Sequence, residues 1–127
     1  MATPAVYETP LRNAQLDAKT TYIGNAGLLK IYDAAYANVL STHTFGSPFA
    51  PAASAGVLTG TLPANVNASL TGTAALYRIY KADGTTLVEH GGVGATGSGE
   101  PCIVNSTSFI SGVAVQVLAL TTTAGNA

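Results

Sequence analysis

Ala74-Ala75-Leu76-Tyr77-Arg78-Ile79-Tyr80-Lys81-Ala82-Asp83-Gly84-Thr85-Thr86-Leu87-Val88 (residues 74–88) alternates in polarity, turns and comes back. Successive side chains of an extended chain point to opposite sides. Ala74, Leu76, Arg78 and Tyr80 therefore share one face, and Ala75, Tyr77, Ile79 and Lys81 share the other. Asp83-Gly84 is a hairpin signal, because glycine readily takes the positive φ of a tight turn. The pattern predicts a long strand over residues 69–81 and a return strand over 85–88. It sets the fold class as mainly β.

The flanks repeat the signal. Leu28-Leu29-Lys30-Ile31-Tyr32 is an apolar run with one charge. Residues 39–45 alternate, with Val39, Ser41, His43 and Phe45 opposite Leu40, Thr42 and Thr44. Residues 57–62 alternate until Pro63, and two further strands are expected over 102–105 and 113–121. Short strands separated by turn signals every 8–12 residues or so predict a jelly-roll-like antiparallel β-sandwich. One short N-terminal helix is expected over residues 11–23, with Thr9-Pro10 opening it and Gly24 closing it. Leu11, Gln15, Ala18 and Tyr22, with Ala14 beside them, form its expected packing stripe. Residues 1–10 read as an arm, since Pro4 and Pro10 bracket Val6-Tyr7-Glu8-Thr9. Residues 11–127 read as a single domain. The stretches 47–56 and 91–99, rich in Pro/Ala and in Gly, read as loops.

Charge is scarce. The 127 residues hold 5 Lys+Arg and 6 Asp+Glu, a net charge of -1, and charged residues make up 9%. A typical domain has about 25%. Ala (22), Thr (17) and Gly (14) dominate, and residues 34–77 and 101–127 contain no charged side chain. Five scattered cations are a poor footprint for nucleic acid. With 47% hydrophobic residues the chain does not resemble a disordered one. The aliphatic run at 113–120 is far short of the roughly 20 residues that span a bilayer, so no membrane partner is expected. Met1-Ala2-Thr3-Pro4-Ala5 has neither the basic nor the apolar region of a secretory signal. The single Cys102 fits a reducing compartment at synthesis, such as a cytoplasm.

No catalytic residue, cofactor or metal is expected. Gly92-Val93-Gly94-Ala95-Thr96-Gly97 matches a dinucleotide fingerprint in letters, but Ser98-Gly99-Glu100-Pro101 does not open the helix that motif needs. His43, His90 and Cys102 have no ligand spacing between them. Asn67-Ala68-Ser69 and Asn105-Ser106-Thr107 match glycosylation sequons without a secretory context. The carboxylates are too few and too dispersed for acid–base chemistry, so the chain reads as a binding protein, not an enzyme. Aromatic residues near an arm or loop make good contact anchors. Val6, Tyr7 and Glu8 in the arm, with Tyr36 and Phe49, are the expected interface residues, whereas Tyr32 and Phe45 read as core.

Three blocks resemble small virion proteins of tailed bacteriophages. The first is Arg12-Asn13-Ala14-Gln15-Leu16-Asp17-Ala18, with Ile23-Gly24 and Leu28-Leu29-Lys30-Ile31-Tyr32-Asp33 after it. The second is Tyr77-Arg78-Ile79-Tyr80-Lys81-Ala82-Asp83-Gly84-Thr85, and the third is Asn105-Ser106-Thr107-Ser108-Phe109-Ile110-Ser111-Gly112-Val113. Together they cover most of residues 11–121. Asp33 is followed by Ala34 where that family has Gly, so the turn there must differ. The resemblance implies a capsid decoration, or cement, protein with a jelly-roll-like sandwich. Such a protein forms a homo-oligomer, dimer or trimer, on the outer surface of the virion head and bridges subunits of the major capsid protein. A tail, baseplate or receptor-binding virion component is the alternative that the same resemblance leaves open.

Overall fold

A computed structural model describes residues 8–46 and 49–123. It is mainly β. Among the described residues one α-helix, α1 (Thr9–Ile23), precedes eleven strands. These are β1 (Leu28–Tyr32), β2 (Val39–Thr44), β3 (Val57–Thr59), β4 (Val66–Asn67), β5 (Gly72–Thr73) and β6 (Leu76–Tyr80). Then come β7 (Leu87–Gly94), β8 (Cys102–Val104), β9 (Ser108–Phe109), β10 (Ala114–Val115) and β11 (Val117–Thr123). Seven form one sheet in the order β2-β1-β6-β7-β8-β11-β3, while β10-β4 and β5-β9 are separate two-stranded ribbons.

The sheet is mixed, not antiparallel throughout as expected, because β7 and β8 run parallel through Val93↔Cys102 and Gly94↔Ile103. A parallel return usually needs a dozen or more residues. Here residues 95–101 suffice, since only two pairs form and Gly97 and Gly99 turn the chain at positive φ. The sheet also curls. Its outermost strands, β2 and β3, end close together: the Phe45 and Phe49 rings meet edge-on at 4.7 Å, and Thr61 N–H donates to the Phe49 carbonyl. Leu29, Ile31, Tyr77, Ile79, Val104, Val117 and Leu120 fill the concave side. Each such aliphatic or aromatic side chain contributes about 1.5–3 kcal/mol by leaving water.

Four local expectations change. The helix begins at Thr9, so residues 9 and 10 belong to it rather than to an arm, and Glu8 occupies the N-cap position. Its packing face is Leu16 and Ile23, whereas Leu11 (50% exposed) and Tyr22 (52%) face solvent. The expected stripe had only Leu11 and Tyr22 as large side chains; the face with Leu16, Ile23 and the long stem of Lys19, whose Nζ lies 5.3 Å over the Phe49 ring, buries more. Asn13 and Asp17 secure that face by accepting from Gly56 N–H (2.9 Å) and Ala53 N–H (2.8 Å).

The long strand over 69–81 is in fact β5 and β6. Between them the chain changes neighbours, as Ala74 N–H donates to the Thr107 carbonyl and Ala75 N–H to the Tyr32 carbonyl. The glycines at 91–94 are strand, not loop. Gly91 lies beneath the Tyr77 ring, where a Cβ would come within 2.9 Å, and side chains at Gly92 and Gly94 would strike Glu100 and Ser98. Bulk from Tyr77 on β6 and from Ser98 and Glu100 in the 95–101 connection thus explains why positions 91, 92 and 94 of β7 are glycine. Among the described residues no helix is long and apolar enough to cross a membrane.

Candidate functional site

The convex side of the sheet gathers most of the chain's unusual chemistry. Register places Lys30 opposite Arg78, and Arg78 opposite His90, so three basic residues stand in one row across β1, β6 and β7. Tyr32 and Tyr80 flank the row on the same face, and Leu28 lies opposite Tyr80 and Leu76 opposite Tyr32. Like charges directly opposite one another on a sheet are destabilising. The side chains relieve this by diverging onto different rings. Lys30 Nζ sits 5.0 Å over Tyr80, while the Arg78 guanidinium lies 3.9 Å over Tyr36 and 5.4 Å over Tyr32. Each such cation–π contact contributes about 0.5–1 kcal/mol at a wet site.

Tyr36 reaches this face from a tight 3₁₀ turn, Ala34–Tyr36, that follows β1. The turn closes through Asp33 and Asn38. Asn38 donates from its backbone N–H to Oδ1 (2.9 Å) and from Nδ2 to Oδ2 (2.8 Å) of Asp33. Those bonds hold the Asp33 carboxyl below its usual range. With Ala34 after Asp33, the left-handed backbone falls on Ala35 (φ 63) and Tyr36 (φ 55). A bulky residue at positive φ is strained by about 1–3 kcal/mol and persists only where its surroundings hold it. Tyr36 is held by the Arg78 stack, an edge contact to Tyr32 at 5.3 Å and another to His90 at 6.3 Å.

The tyrosines are coupled. Tyr32 and Tyr80 share a hydroxyl–hydroxyl hydrogen bond of 3.0 Å. Burial, then the bond to Tyr80, pushes the Tyr32 phenol up to about 12. Burial also raises Tyr80, but the Tyr32 hydroxyl and the Arg78 and Lys30 charges outweigh it and hold that phenol below its usual value.

On the concave side of the same strands the chemistry is different. Tyr77 Oη–H donates to Glu89 Oε2 (2.6 Å), and Lys19 from α1 pairs with Glu89 Oε1; the Lys19 and Glu89 side chains are 13% and 17% exposed. Burial first, then the Glu89 hydrogen bond, raises the Tyr77 phenol. Burial, helped by the Glu89 charge, also pushes the wholly enclosed Cys102 thiol up to about 12. A thiol this far from its thiolate is a packing group. His43 is enclosed too. Its Nδ1–H donates to the Ala64 carbonyl (3.3 Å), and the Ser41 hydroxyl lies 3.1 Å from Nε2. Desolvation lowers its pKa, opposed in part by the Ala64 carbonyl, and keeps the ring neutral. Among the described residues no three His, Cys, Asp or Glu side chains converge. A pocket of about 60 Å³ between Asn105, Ser108, Phe109, Ile110 and Val113 is far below the few hundred that a small-molecule site fills.

Of the expected interface residues, Val6 and Tyr7 lie outside the described residues. Glu8 is exposed at the start of α1, where its carbonyl accepts from Arg12 N–H (3.1 Å). Tyr36 is half-buried in the convex cluster. Phe49 is 1% exposed, its ring spent on the core against Phe45. Lys30, Arg78, Tyr80 and His90 are not among the interface residues expected from sequence. Their only signal was the matching spacing of Lys30-x-Tyr32 and Arg78-x-Tyr80, which acquires meaning once β1 and β6 are known to pair.

No family model, curated protein or solved structure matches this chain.

Proposed function

We propose that this chain is a capsid decoration, or cement, protein. On this reading it sits on the outer surface of an assembled phage head, associates with its own copies, and bridges major capsid subunits. Two things support it: the resemblance of residues 11–121 to small virion proteins, and the convex face of β1, β6 and β7. The observation that carries most weight is the Tyr32–Tyr36–Tyr80 cluster around Arg78 and Lys30. Tyr and Arg are the residue types that dominate contact energies. Here they are already ordered against one another on a hydrogen-bonded sheet, so little side-chain freedom is left to lose on binding.

The mechanism is mass action. A protein that binds only the assembled shell stabilises it in proportion to RT ln(1 + [L]/Kd), and repeated sites on a symmetric lattice add avidity. The arm containing Val6, Tyr7 and Glu8 would extend the contact to a neighbour by strand addition. The same reading takes the curled sheet and its two ribbons as a variant of the family's jelly-roll-like sandwich. Location tests it. Purified heads and tails are separated on gels and the copy number per virion is measured. Hundreds of copies on heads are expected, and a handful per particle, or presence only on tails, would overturn the reading.

A further inference from the structure

We propose that the Lys30–Arg78–His90 row is a docking site for a carboxylate-rich peptide segment of the partner protein. The proposal rests on reading the convex face as a contact surface, and it adds what that surface recognises.

Three observations carry it. The first is unbalanced charge. Among the described residues neither Lys30 nor Arg78 has a carboxylate within ion-pair distance; the ion pair that forms joins Lys19 to Glu89 on the other side of the sheet. The acids are engaged elsewhere. Asp17 holds the Ala53 N–H, Asp33 holds Asn38, Asp83 holds Thr85 and Thr86, and Glu89 holds Tyr77. Glu8 stands at the helix start. Glu100 lies over Gly92, which pairs with Leu76 one same-face step along β7 from His90's row, and is outside ion-pair distance of Lys30 and Arg78. Two of the five Lys and Arg residues of a chain of net charge -1 thus stand side by side on this face.

The second is readiness. The Arg78 guanidinium is held 3.9 Å over the Tyr36 ring, and among the described residues its Nε–H, shielded from water, has no acceptor. A planar fork held in advance is suited to bidentate carboxylate. The strained Tyr36 backbone is what delivers that stack.

The third is the layout. Neighbouring strands are about 4.8 Å apart, so the three residues stand in a row about 10 Å long, with the Lys30 and Arg78 charges carried to different rings within it. A phosphate site converges its donors, often backbone N–H groups, on one point. A row of single charges matches successive carboxylates instead. A sugar would need open ring faces, and those of Tyr36 and Tyr80 are covered by the protein's own cations.

The test is a titration of the full chain with a hexaglutamate peptide, followed by amide chemical shifts, with hexaglutamine and inorganic tripolyphosphate as comparison probes. Saturable binding of hexaglutamate is expected, weakened by salt as exposed charges are screened. Arg78→Gln should weaken it about tenfold and Arg78→Lys, which keeps the charge but loses the fork, by less. Lys30→Gln should weaken it about threefold. Circular dichroism checks that each variant is folded, and if Arg78→Gln is not, the Arg78→Lys and Lys30→Gln pair decides. Equal binding of hexaglutamine, tighter binding of tripolyphosphate, or hexaglutamate binding unchanged in folded variants would each overturn the proposal. Head decoration is scored separately. Protein that coats heads but ignores hexaglutamate sinks the docking site alone, while hexaglutamate binding without head decoration sinks the cement reading alone.

Discussion

Tyr77 and Arg78 are adjacent in β6, and Glu89 and His90 are adjacent in β7, yet each pair is split across the sheet. On the concave side Glu89 is closed by Tyr77 and Lys19. On the convex side Arg78 and Lys30 lie on tyrosine rings without a carboxylate. Both sides combine tyrosine with cations, and the difference is solvent. A charge taken from water must be neutralised where it lies, because desolvation costs several kcal/mol per ion. A charge at the surface need not be, so it can wait on a ring for a partner from outside. The same alternation of a strand therefore builds a structural ion pair and a recognition surface.

Breaking the inner side should have the largest effect. Glu89→Gln removes the carboxylate that the mostly buried Lys19 pairs with, and should lower stability by about 3 kcal/mol in urea melts. A loss below about 1 kcal/mol would mean that Lys19 reaches water freely. Alkali comes next. The Cys102 thiol is raised from 9.0 to about 12 and the Tyr32 phenol from 10.0 to about 12 in the fold. Both stay neutral when folded and ionise sooner when unfolded, so their stability is complete below pH 9 and is lost as pH rises towards 12. Urea melts measured from pH 8 to 10 should lose stability, by about 2 kcal/mol at pH 10. A flat profile would place Cys102 in contact with solvent.

Tyr77→Phe removes one hydrogen bond to a charged acceptor and should cost about 1.5 kcal/mol, less than Glu89→Gln because the ion pair survives. The smallest change in stability belongs to the outer side. Arg78→Gln trades its contacts with the Tyr36 and Tyr32 rings for relief from the like charge of Lys30 opposite, and should move the thermal midpoint by no more than about 0.5 kcal/mol allows. If Arg78→Gln destabilised as much as Glu89→Gln, the two sides would not differ in the way described.

Much of the fold was legible. β1, β2 and the β6–β7 turn follow from alternation and from Asp83-Gly84, where Asp83 accepts from Thr85 and Thr86 N–H and its carboxyl is held down to about 2 by these bonds and the Thr86 hydroxyl. The helix was legible in extent but not in orientation, since Leu11 and Tyr22 compete with Leu16 and Ile23 on apolarity and only the surface offered by β3 and residues 49–56 decides between them. The glycines of β7 gave no strand signal because their role is to leave room for Tyr77, Ser98 and Glu100. Of the convex site, Tyr36 stood out as an aromatic residue in a loop, and the rest did not.

What the sequence determined by itself is local: which stretches extend, which turn, and which residues on one strand share a face. These follow from backbone sterics and from a side-chain period of two, which need no knowledge of distant residues. What only the tertiary structure decided is which faces meet. Lys30, Arg78 and His90 become one row because β1, β6 and β7 pair in a particular register, and a register is settled by packing across the whole core. Shifting β1 by one residue would turn Leu29 and Ile31 outward and Lys30 inward. The buried apolar side fixes the alignment, and the charged row on the other side comes with it.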